Sequence, residues 1–313
     1  MSSPNLNKNS KIYIAGHKGM VGSSCWRALK SKGYKNLIGF SSKELDLRNQ
    51  NDVFEIIKKE KPYAIIDAAA RVGGILANDS YPYEFLMDNM LIQNNLIKAA
   101  HELNISKFIF LGSSCIYPKM APQPLFEGSL LTGPLEETNQ WYALAKISGV
   151  KLIESLRIEF NRDYVSLMPT NLYGPGDNFD LKTSHVLPAM IRKFHKAKET
   201  NQEVNLWGTG SPMREFLYVD DLSKAIIIAL ENKLEESIYN VGYGKEISIK
   251  ELAEIIQKIV GHKGTIHWDN SKPDGTLRKL MDSTKFSKLG FRPKINLLQG
   301  IELTYNSFKS KYT

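Results

Sequence analysis

Blocks of apolar and polar positions alternate along the first half of the chain, in the order typical of an α/β fold. Short apolar runs predict strands at residues 11–15, 37–40, 63–67, 107–111 and 164–168. Apolar residues spaced three and four apart predict helices at residues 20–31, 51–59, 80–103 and 141–160. Strands that alternate with helices form a parallel sheet covered on both faces. We therefore predict a Rossmann-type, doubly wound domain over residues 11–170, with right-handed connections.

The second half has a looser pattern, which predicts a smaller, mixed α/β lobe over residues 171–313 that is interleaved with the first domain. Residues 171–182 are typical of a loop, and helices are predicted at residues 184–198 and 220–231. Ser248 and Glu251 have the spacing of a capping box that opens a further helix through residue 260. The polar residues 1–10 predict a disordered tail.

The composition narrows the class of protein. The chain has 313 residues, enough for one large domain or two lobes, and 41 Lys and Arg against 33 Asp and Glu give a net charge of +8. This balance suits an anionic partner, but the basic residues are spread along the chain, which disfavours nucleic acid. The N-terminus lacks a signal peptide, and no apolar run approaches the ~18 residues of a membrane helix.

The two cysteines and six histidines show no spacing that suits a zinc site or a disulfide framework. We therefore expect a cytoplasmic, reduced and soluble protein with no metal and no membrane or nucleic-acid partner.

Three glycines lie between the first predicted strand and the first predicted helix. Gly16, Gly19 and Gly22 allow a sharp turn and a close approach of the backbone to a diphosphate, and Met20 and Val21 open the helix whose N-terminus attracts that anion. This context predicts a dinucleotide-binding loop. The GxxGxxG spacing resembles that of the extended short-chain dehydrogenase/reductases.

The region after the second strand predicts which dinucleotide binds. Residues 40–43 contain no carboxylate that would hold a ribose hydroxyl, whereas Lys18 and Lys43 offer two ammonium groups to a 2′-phosphate. We therefore predict NADPH rather than NADH; the alternative is that both lysines are only solvated. Further expected cofactor contacts are Asp46, Leu47, Ala68, Ala69 and Ala70.

Tyr142 and Lys146 are four residues apart and share one face of a predicted helix. An ammonium beside a phenol is expected to lower the pKa of the tyrosine from its usual value of ~10. Ser113 follows the preceding strand, from where its hydroxyl can orient a carbonyl. Together they predict a reductase site in which Tyr142 supplies the proton and Lys146 also holds the nicotinamide ribose. The alternative is a core tyrosine and a surface lysine.

Longer segments make a resemblance to a known family specific. They are IAGHKGMVGS, AAARVGGI, FLGSSCIYP, YALAKISGVKL, MPTNLYGPGDNF, SHVLPAMIRKFH, WGTGSPMREFLYVDD and SKPDGTLRKL. The chain resembles the GDP-L-fucose synthase family over residues 11–305. These extended short-chain dehydrogenase/reductases convert GDP-4-keto-6-deoxy-D-mannose to GDP-L-fucose by 3,5-epimerisation and NADPH-dependent 4-keto reduction.

The resemblance implies a set of site residues and a homodimer. Ser113, Tyr142 and Lys146 would be the reducing residues, and Cys115 and His185 an epimerising pair, with His185 also at the cofactor. The implied GDP-sugar contacts are Ser113, Asn171, Lys193, Trp207, Arg214 and Lys279. Ser42 departs from the family, which often has an arginine there for the 2′-phosphate.

The hydrogens at C3 and C5 of a 4-keto sugar are acidic, and their inversion needs groups on both faces of the ring. If residues 113–115 stay extended, Cys115 points the same way as Ser113. We assign Cys115 as the base, activated by a nearby imidazolium, and His185 as the acid, with the reverse assignment as the open alternative. The alternatives are that Cys115 only packs as a small buried apolar residue and that His185 is a surface residue at a helix end.

Three other functions stay open from the sequence. The same chemistry on another GDP-4-keto sugar, such as a 6-deoxy-heptose, needs only modest pocket changes. A 4-reductase without epimerisation and a non-catalytic dinucleotide-sensing protein are the other two.

Overall fold

The structure is a computed structural model that describes residues 6–272 and 274–312. Its strands are β1 (Ile12–Ala15), β2 (Leu37–Ile38), β3 (Ala64–Asp67), β4 (Lys107–Leu111), β5 (Asp163–Pro169), β6 (Asn171–Tyr173), β7 (Val204–Trp207), β8 (Met213–Tyr218), β9 (Ile238–Val241), β10 (Glu246–Ser248), β11 (Ile266–Asp269) and β12 (Arg278–Lys279). Its helices are α1 (Met20–Ser31), α2 (Gln50–Glu60), α3 (Ile75–Ser80), α4 (Pro82–Glu102), α5 (Gln140–Phe160), α6 (Val186–Thr200), α7 (Val219–Glu231), α8 (Ile249–Val260), α9 (Thr284–Lys288) and α10 (Leu297–Tyr312).

A six-stranded sheet with the order β2-β1-β3-β4-β5-β9 organises the first part of the chain, and all its strand pairs are parallel. The strand order reverses between β1 and β3, because the chain first moves outward to β2 and then crosses back. The carboxyl ends of β1 and β3 therefore border the crevice in which ligands bind in open α/β sheets. The predicted Rossmann-type fold is confirmed.

Apolar side chains cover both faces of this sheet. Residues of α2, α4 and α5 pack on one face, in a cluster that includes Phe108 and Phe110 of β4. Residues of α1 and α7 pack on the other face. Near-continuous apolar strands are expected when both faces are buried, which explains why these strands could be found in the sequence.

A second lobe is built around β8, which pairs antiparallel with β10 and parallel with β6 and β12. A parallel pair of β7 and β11 lies beside it, and α6, α8 and α10 share its apolar cluster. The predicted capping box is confirmed, since the Ser248 hydroxyl accepts from the Glu251 amide at 3.1 Å and Glu251 accepts from the Ser248 amide at 3.0 Å.

The chain passes between the two parts more than once. Strand β9 and helix α7 lie beyond residue 170, yet β9 forms an edge of the first sheet and α7 packs on it. The boundary between residues 11–170 and 171–313 stays an interpretation, because these two elements belong structurally with the first part.

Several predicted segments differ from the structure. Residues 80–103 are not one helix, because Tyr81 leaves the helical conformation before Pro82, which opens α4. Strand β2 ends at residue 38, and the His17 side chain fills the space beside Gly39. The predicted loop 171–182 begins with β6, and the helix predicted from residue 184 begins at residue 186.

Part of the predicted tail is ordered. Residues 1–5 lie outside the described residues, but Leu6 packs against the core, and the Lys8 ammonium lies 3.2 Å from a carboxylate oxygen of Glu231. The prediction of disorder is therefore wrong for residues 6–10. Among the described helices, none combines the length and the apolar character needed to cross a bilayer.

Candidate active site

The glycine loop packs tightly against the end of β3. Gly16 has a φ of +74°, and a Cβ there would lie 2.6 Å from the carbonyl oxygen of Ala68. A Cβ on Gly22 would lie 2.1 Å from the Gly16 carbonyl oxygen, to which the Gly19 amide donates at 2.9 Å. Gly19 caps α1 without a side chain. The first amides of α1, starting with Met20 and Val21, have no carbonyl partner within the helix and suit an anion.

The turn after β2 carries charges of both signs. Lys18 and Lys43 are exposed beside it. Glu44, one residue beyond the segment weighed in the sequence, accepts from the amide and the hydroxyl of Ser41 at 2.7 and 2.6 Å. These hydrogen bonds, and more weakly the Lys18 ammonium, lower the pKa of Glu44. The lysines therefore share this turn with a carboxylate.

The other expected cofactor residues line the same edge of the sheet. Asp46 forms an ion pair with Arg48 at 2.8 Å, and the Leu47 carbonyl accepts from the Asn95 side chain at 2.9 Å. Ala68, Ala69 and Ala70 follow β3 directly and are partly exposed. Cofactor contact by these residues stays a prediction.

Ser113 and Cys115 are adjacent in space, although not for the reason expected. Residues Ser114–Ile116 form a 3-10 turn, so the prediction of an extended segment is wrong. Ser113 caps the turn and its Oγ accepts from the Cys115 amide at 3.3 Å. The Ser113 hydroxyl also lowers the pKa of the Cys115 thiol. A local cap thus brings the two side chains together.

Tyr142 and Lys146 lie on one face of α5, as predicted. Lys146 is 2% exposed, its Nζ donates to the Leu111 carbonyl at 2.8 Å, and it lies 5.8 Å from the centroid of the Tyr142 ring. The expected lowering of the tyrosine pKa is wrong: burial raises the pKa of Tyr142, and the thiolate form of Cys115 and the charge of Asp67 raise it further. Tyr142 is thus a neutral phenol at neutral pH and suits a proton donor.

Cys115 lies in an environment that both hinders and favours its ionisation. It is 8% exposed, and this burial raises the pKa of the thiol. The Lys279 ammonium lowers that pKa, followed by the hydrogen bond from Ser113 and the charge of Lys146. Lys279 and Cys115 line one narrow cavity with Glu136 and Asn139.

His185 is the N-cap residue of α6 and is exposed. Partial desolvation of the ring, together with the Lys279 charge, lowers the pKa of His185. The expected imidazolium beside Cys115 is therefore wrong for the resting site, where Lys279 is the leading positive group.

Gly74 holds the segment that precedes His185. The Gly74 amide donates to the Thr183 carbonyl at 2.9 Å, and a Cβ on Gly74 would lie 2.4 Å from the Ser184 carbonyl oxygen. The histidine is thus positioned by a contact with the segment that leads into α3.

The residues expected at the GDP-sugar form two groups. The first group surrounds β8 and consists of Asn171, Arg214 and Lys279. The Asn171 side-chain amide donates to the Glu215 carbonyl at 2.8 Å, and Lys279 of β12 is paired with Arg214 of β8. Burial lowers the pKa of Arg214.

The second group lies farther along the lobe. Trp207, which is 54% exposed, has the Lys272 ammonium 5.9 Å from its ring centroid. The Lys193 ammonium donates to the Asn205 carbonyl at 2.9 Å. The contacts of both groups with a substrate stay predictions.

Two buried carboxylates were not identified from the sequence. Asp67 ends β3 and Asp177 lies in the loop after β6; burial raises the pKa of Asp67 to about 6 and that of Asp177 to about 7. In the described part of the chain, one oxygen of each has no hydrogen-bond partner. Asp67 could have been identified from the sequence, because it is a charged residue at the end of the apolar run that forms the buried strand β3. No group of three His, Cys, Asp or Glu among the described residues is placed to hold a metal ion.

Comparison with known proteins identifies the family. Residues 12–242 match the model of the NAD dependent epimerase/dehydratase family. GDP-L-fucose synthase 1 of Arabidopsis thaliana is 51% identical over 96% of this chain and 93% of its own length. GDP-L-fucose synthase of Escherichia coli is 48% identical over 95% and 96%.

A solved structure matches equally broadly. The structure of a GDP-mannoheptose C4 reductase from Campylobacter jejuni with NADP bound is 36% identical, with a TM-score of 0.88 over 97% of this chain and 100% of that one. The chain therefore belongs to the NAD dependent epimerase/dehydratase family and, within it, to the GDP-L-fucose synthases.

Proposed function

We propose that this protein converts GDP-4-keto-6-deoxy-D-mannose to GDP-L-fucose by 3,5-epimerisation followed by NADPH-dependent reduction of the 4-keto group. The observation that carries the proposal is the convergence of Ser113, Cys115 and Tyr142 at one end of the parallel sheet, beside Lys146 and Lys279. A ketoreductase needs the serine and tyrosine hydroxyls, whereas the cysteine is required only if a carbon is inverted.

The residues around the glycine loop fit NADPH. The close packing of Gly16 and Gly22 leaves the backbone itself as the surface for a pyrophosphate, and the N-terminus of α1 faces that position. Lys18 and Lys43 would hold the 2′-phosphate. NADPH, when bound, supplies a hydride to C4 of the keto sugar.

For reduction, the protein has to hold the carbonyl and supply a proton. Tyr142 donates its phenolic proton to the carbonyl oxygen, which becomes the hydroxyl oxygen of the product. The Ser113 hydroxyl donates a second hydrogen bond to the same oxygen. The Lys146 ammonium, close to the tyrosine ring, stabilises the phenolate that Tyr142 leaves behind.

For epimerisation, the same carbonyl oxygen carries the negative charge of an enolate, and Ser113 and Tyr142 stabilise it. Cys115 in its thiolate form removes the proton α to the carbonyl, and His185 in its imidazolium form returns a proton from the opposite face. Burial keeps the thiol protonated at rest. The positive charges of Lys279 and Lys146 act in the opposite direction and favour the thiolate that the reaction needs.

The test uses purified protein, NADPH and GDP-4-keto-6-deoxy-D-mannose in D₂O, with the product followed by NMR. GDP-L-fucose with deuterium at C3 and C5 is expected. Tyr142→Phe should lose reduction, and Cys115→Ser should retain NADPH binding but lose the deuterium exchange. Failure of the parent protein to oxidise NADPH, or equal exchange in Cys115→Ser, would remove the corresponding half of the proposal.

The similarity to the heptose reductase structure suggests a GDP-4-keto-6-deoxy-heptose as a second candidate substrate. A GDP-4-keto-6-deoxy-heptose carries one more carbon than the hexose, C7 with its hydroxyl on C6, and one extra methylene in a hydrophobic pocket alters binding by only about 1–3 kcal/mol. Side-by-side kcat/KM values on the two sugars decide. We expect the hexose to be preferred.

We also infer a homodimer that pairs α4 and α5 with the same helices of a second copy. Tyr83, Met87 and Leu91 recur every four residues on α4 and are exposed, and Leu144 of α5 is 42% exposed. Such a stripe suits a helix packed against other helices. Light scattering should give twice the chain mass, and Met87→Glu with Leu91→Glu should give the monomer.

The compartment follows from the thiols. Cys25 and Cys115 are both free and buried. We infer that the protein works in a reducing compartment, the cytoplasm, where a free catalytic thiol persists.

A further inference from the structure

Asp67 is a buried carboxylate that the proposed reaction does not use. It is the last residue of β3 and is 0% exposed. One carboxylate oxygen accepts from the Ala69 amide at 3.2 Å, and the other has no hydrogen-bond partner among the described residues. A buried carboxylate with an unsatisfied oxygen destabilises a fold unless another charge compensates it.

The sheet register places Asp67 beside the reducing residues. Asp67 is paired with Ala15 of β1 on one side and with Phe110 of β4 on the other. Side chains at paired positions of a parallel sheet share one face, and Ala15 and Phe110 belong to the cluster covered by α5. Lys146 of α5 lies on that face, with its ammonium 4.6 Å from the Phe110 ring centroid.

Lys146 needs a negative neighbour. Its hydrogen bond goes to a neutral carbonyl, that of Leu111, and burial lowers the pKa of its ammonium group. Two negative groups raise that pKa, Asp67 first and Cys115 second. Cys115 cannot serve as the permanent partner, because burial keeps its thiol protonated at rest.

Among the described residues, two phenols also face Asp67. Tyr13 of β1 and Tyr142 of α5 both have their pKa raised by burial and by the Asp67 charge. Neither is ionised at neutral pH, so neither competes with Lys146 as the charge partner of Asp67. The ammonium in turn lowers the pKa of Asp67 against the effect of burial.

We propose that Asp67 is a positioning residue that keeps the Lys146 ammonium charged and directed at the reacting end of the cleft. The inference rests on the proposed function only through the role given to Lys146. Asp67 does not touch the sugar; it acts on the reaction through the lysine that stabilises the Tyr142 phenolate.

The chain offers a matched control for the experiment. The ammonium of Lys107, which is completely buried, lies 2.8 Å from Asp163 on the neighbouring strands β4 and β5. Asp163→Asn removes the carboxylate from this second lysine without changing the reducing residues. Asp67→Asn keeps the size of the side chain, and Asp67→Leu provides a second variant should the amide disturb the fold.

The first measurement does not depend on activity. In protein labelled with ¹³C at lysine Cε, the Lys146 resonance, assigned by its loss in Lys146→Met, is followed against pH. In Asp67→Asn and Asp67→Leu it should titrate at lower pH than in the parent, whereas Asp163→Asn should leave it unchanged. An unchanged Lys146 titration in both Asp67 variants overturns the proposal.

The second measurement is the pH profile of NADPH oxidation. The alkaline limb of kcat should move to lower pH in the Asp67 variants, by about one pH unit, which lowers kcat about tenfold on that limb. KM for the sugar should change by less than about twofold, since sugar binding does not involve Asp67. A parent protein without NADPH oxidation would remove the proposed function and leave the NMR result standing. A shifted resonance with an unshifted kcat profile would overturn the catalytic part of the proposal.

Discussion

The Lys279 ammonium and the Cys115 thiol line one cavity, and the charge of the lysine favours the thiolate form of the cysteine. The same ammonium disfavours protonation of His185. The charge of Lys279 therefore favours the thiolate that Cys115 needs as the base and disfavours the imidazolium that His185 needs as the acid.

Replacing this lysine should move the pH dependence of proton exchange. In Lys279→Met the pKa of Cys115 rises, because a positive neighbour is lost, so the thiolate limb moves to higher pH. At pH 7 and saturating sugar, deuterium exchange should fall about tenfold for each pH unit by which that limb moves. NMR exchange rates between pH 6 and 9 measure this. Lys258→Met is the control, since Lys258 is exposed near the end of α8; an unmoved profile in Lys279→Met would contradict the assignment.

Gly74→Ala should impair epimerisation more than reduction. The new Cβ would lie 2.4 Å from the Ser184 carbonyl oxygen and so displace the segment that carries His185, while Ser113 and Tyr142 lie on other elements. We expect a loss of about tenfold or more in exchange at C3 and C5, since small displacements of a catalytic group have effects of this size. Gly133→Ala is the control, because its Cβ would make an ordinary contact at 3.4 Å with Pro118. Equal losses of exchange and of NADPH binding would speak against a specific effect on His185.

Two lysines should determine the preference for NADPH over NADH. Replacing Lys18 and Lys43 together by Met should weaken NADPH binding about tenfold, equivalent to about 1.4 kcal/mol, and leave NADH binding nearly unchanged. The matched control replaces Lys32 and Lys35, two exposed lysines after α1. Kd values from nicotinamide fluorescence measure both. Glu44→Gln should act in the opposite direction, since it removes a negative charge from the same turn. If the affinity for NADH fell as much as the affinity for NADPH, the two lysines would not bind the 2′-phosphate.

The carboxylate of Asp67 should cost stability at neutral pH. Burial raises its pKa from 3.8 to about 6, so the folded state binds the proton more tightly than the unfolded state. The stability that this group contributes is present below about pH 4 and is lost as the pH rises through about 6. Loss of the negative neighbour of Lys146 destabilises Asp67→Asn at pH 5 and pH 7.5 alike. Because the ionisation of Asp67 is also removed, the free energy of unfolding of the variant, relative to the parent, should be about 1 kcal/mol higher at pH 7.5 than at pH 5. Urea unfolding at both values measures this difference, and a relative free energy that does not change with pH would show that ionisation of Asp67 is not its cause.

The sequence was sufficient for the elements whose signals are local or periodic. Helix α1 and strand β4 were predicted with the bounds that the structure has, because one follows a glycine turn and the other is apolar on both faces. The break at Tyr81 was missed although Pro82 marks it, since the apolar spacing continues across the proline. The 3-10 turn at Ser114–Ile116 was missed because it depends on one hydrogen bond, from the Cys115 amide to the Ser113 side chain. The pattern of apolar and polar residues does not indicate this bond.

For the site, residue types could be predicted but their electrostatic environment could not. A lysine four residues after a tyrosine indicated a lowered tyrosine pKa, but the pKa depends on how deeply Tyr142 lies and on Asp67 from another strand. The charge partner of Cys115 was assigned to His185 and is Lys279, which lies far from the cysteine along the chain. Such long-range contacts arise from the pairing of β12 with β8 and have no local signal.

The return of α7 and β9 to the first sheet has a consequence for the chain as a whole. A break near residue 170 would leave the sheet without its β9 edge and without the helix that covers part of one face. Ser113 and Tyr142 would stay with one fragment, and His185 and Lys279 with the other. Neither fragment would contain both Cys115 and His185, the proposed pair for inversion. Reduction and epimerisation therefore both require that the whole chain folds as one unit.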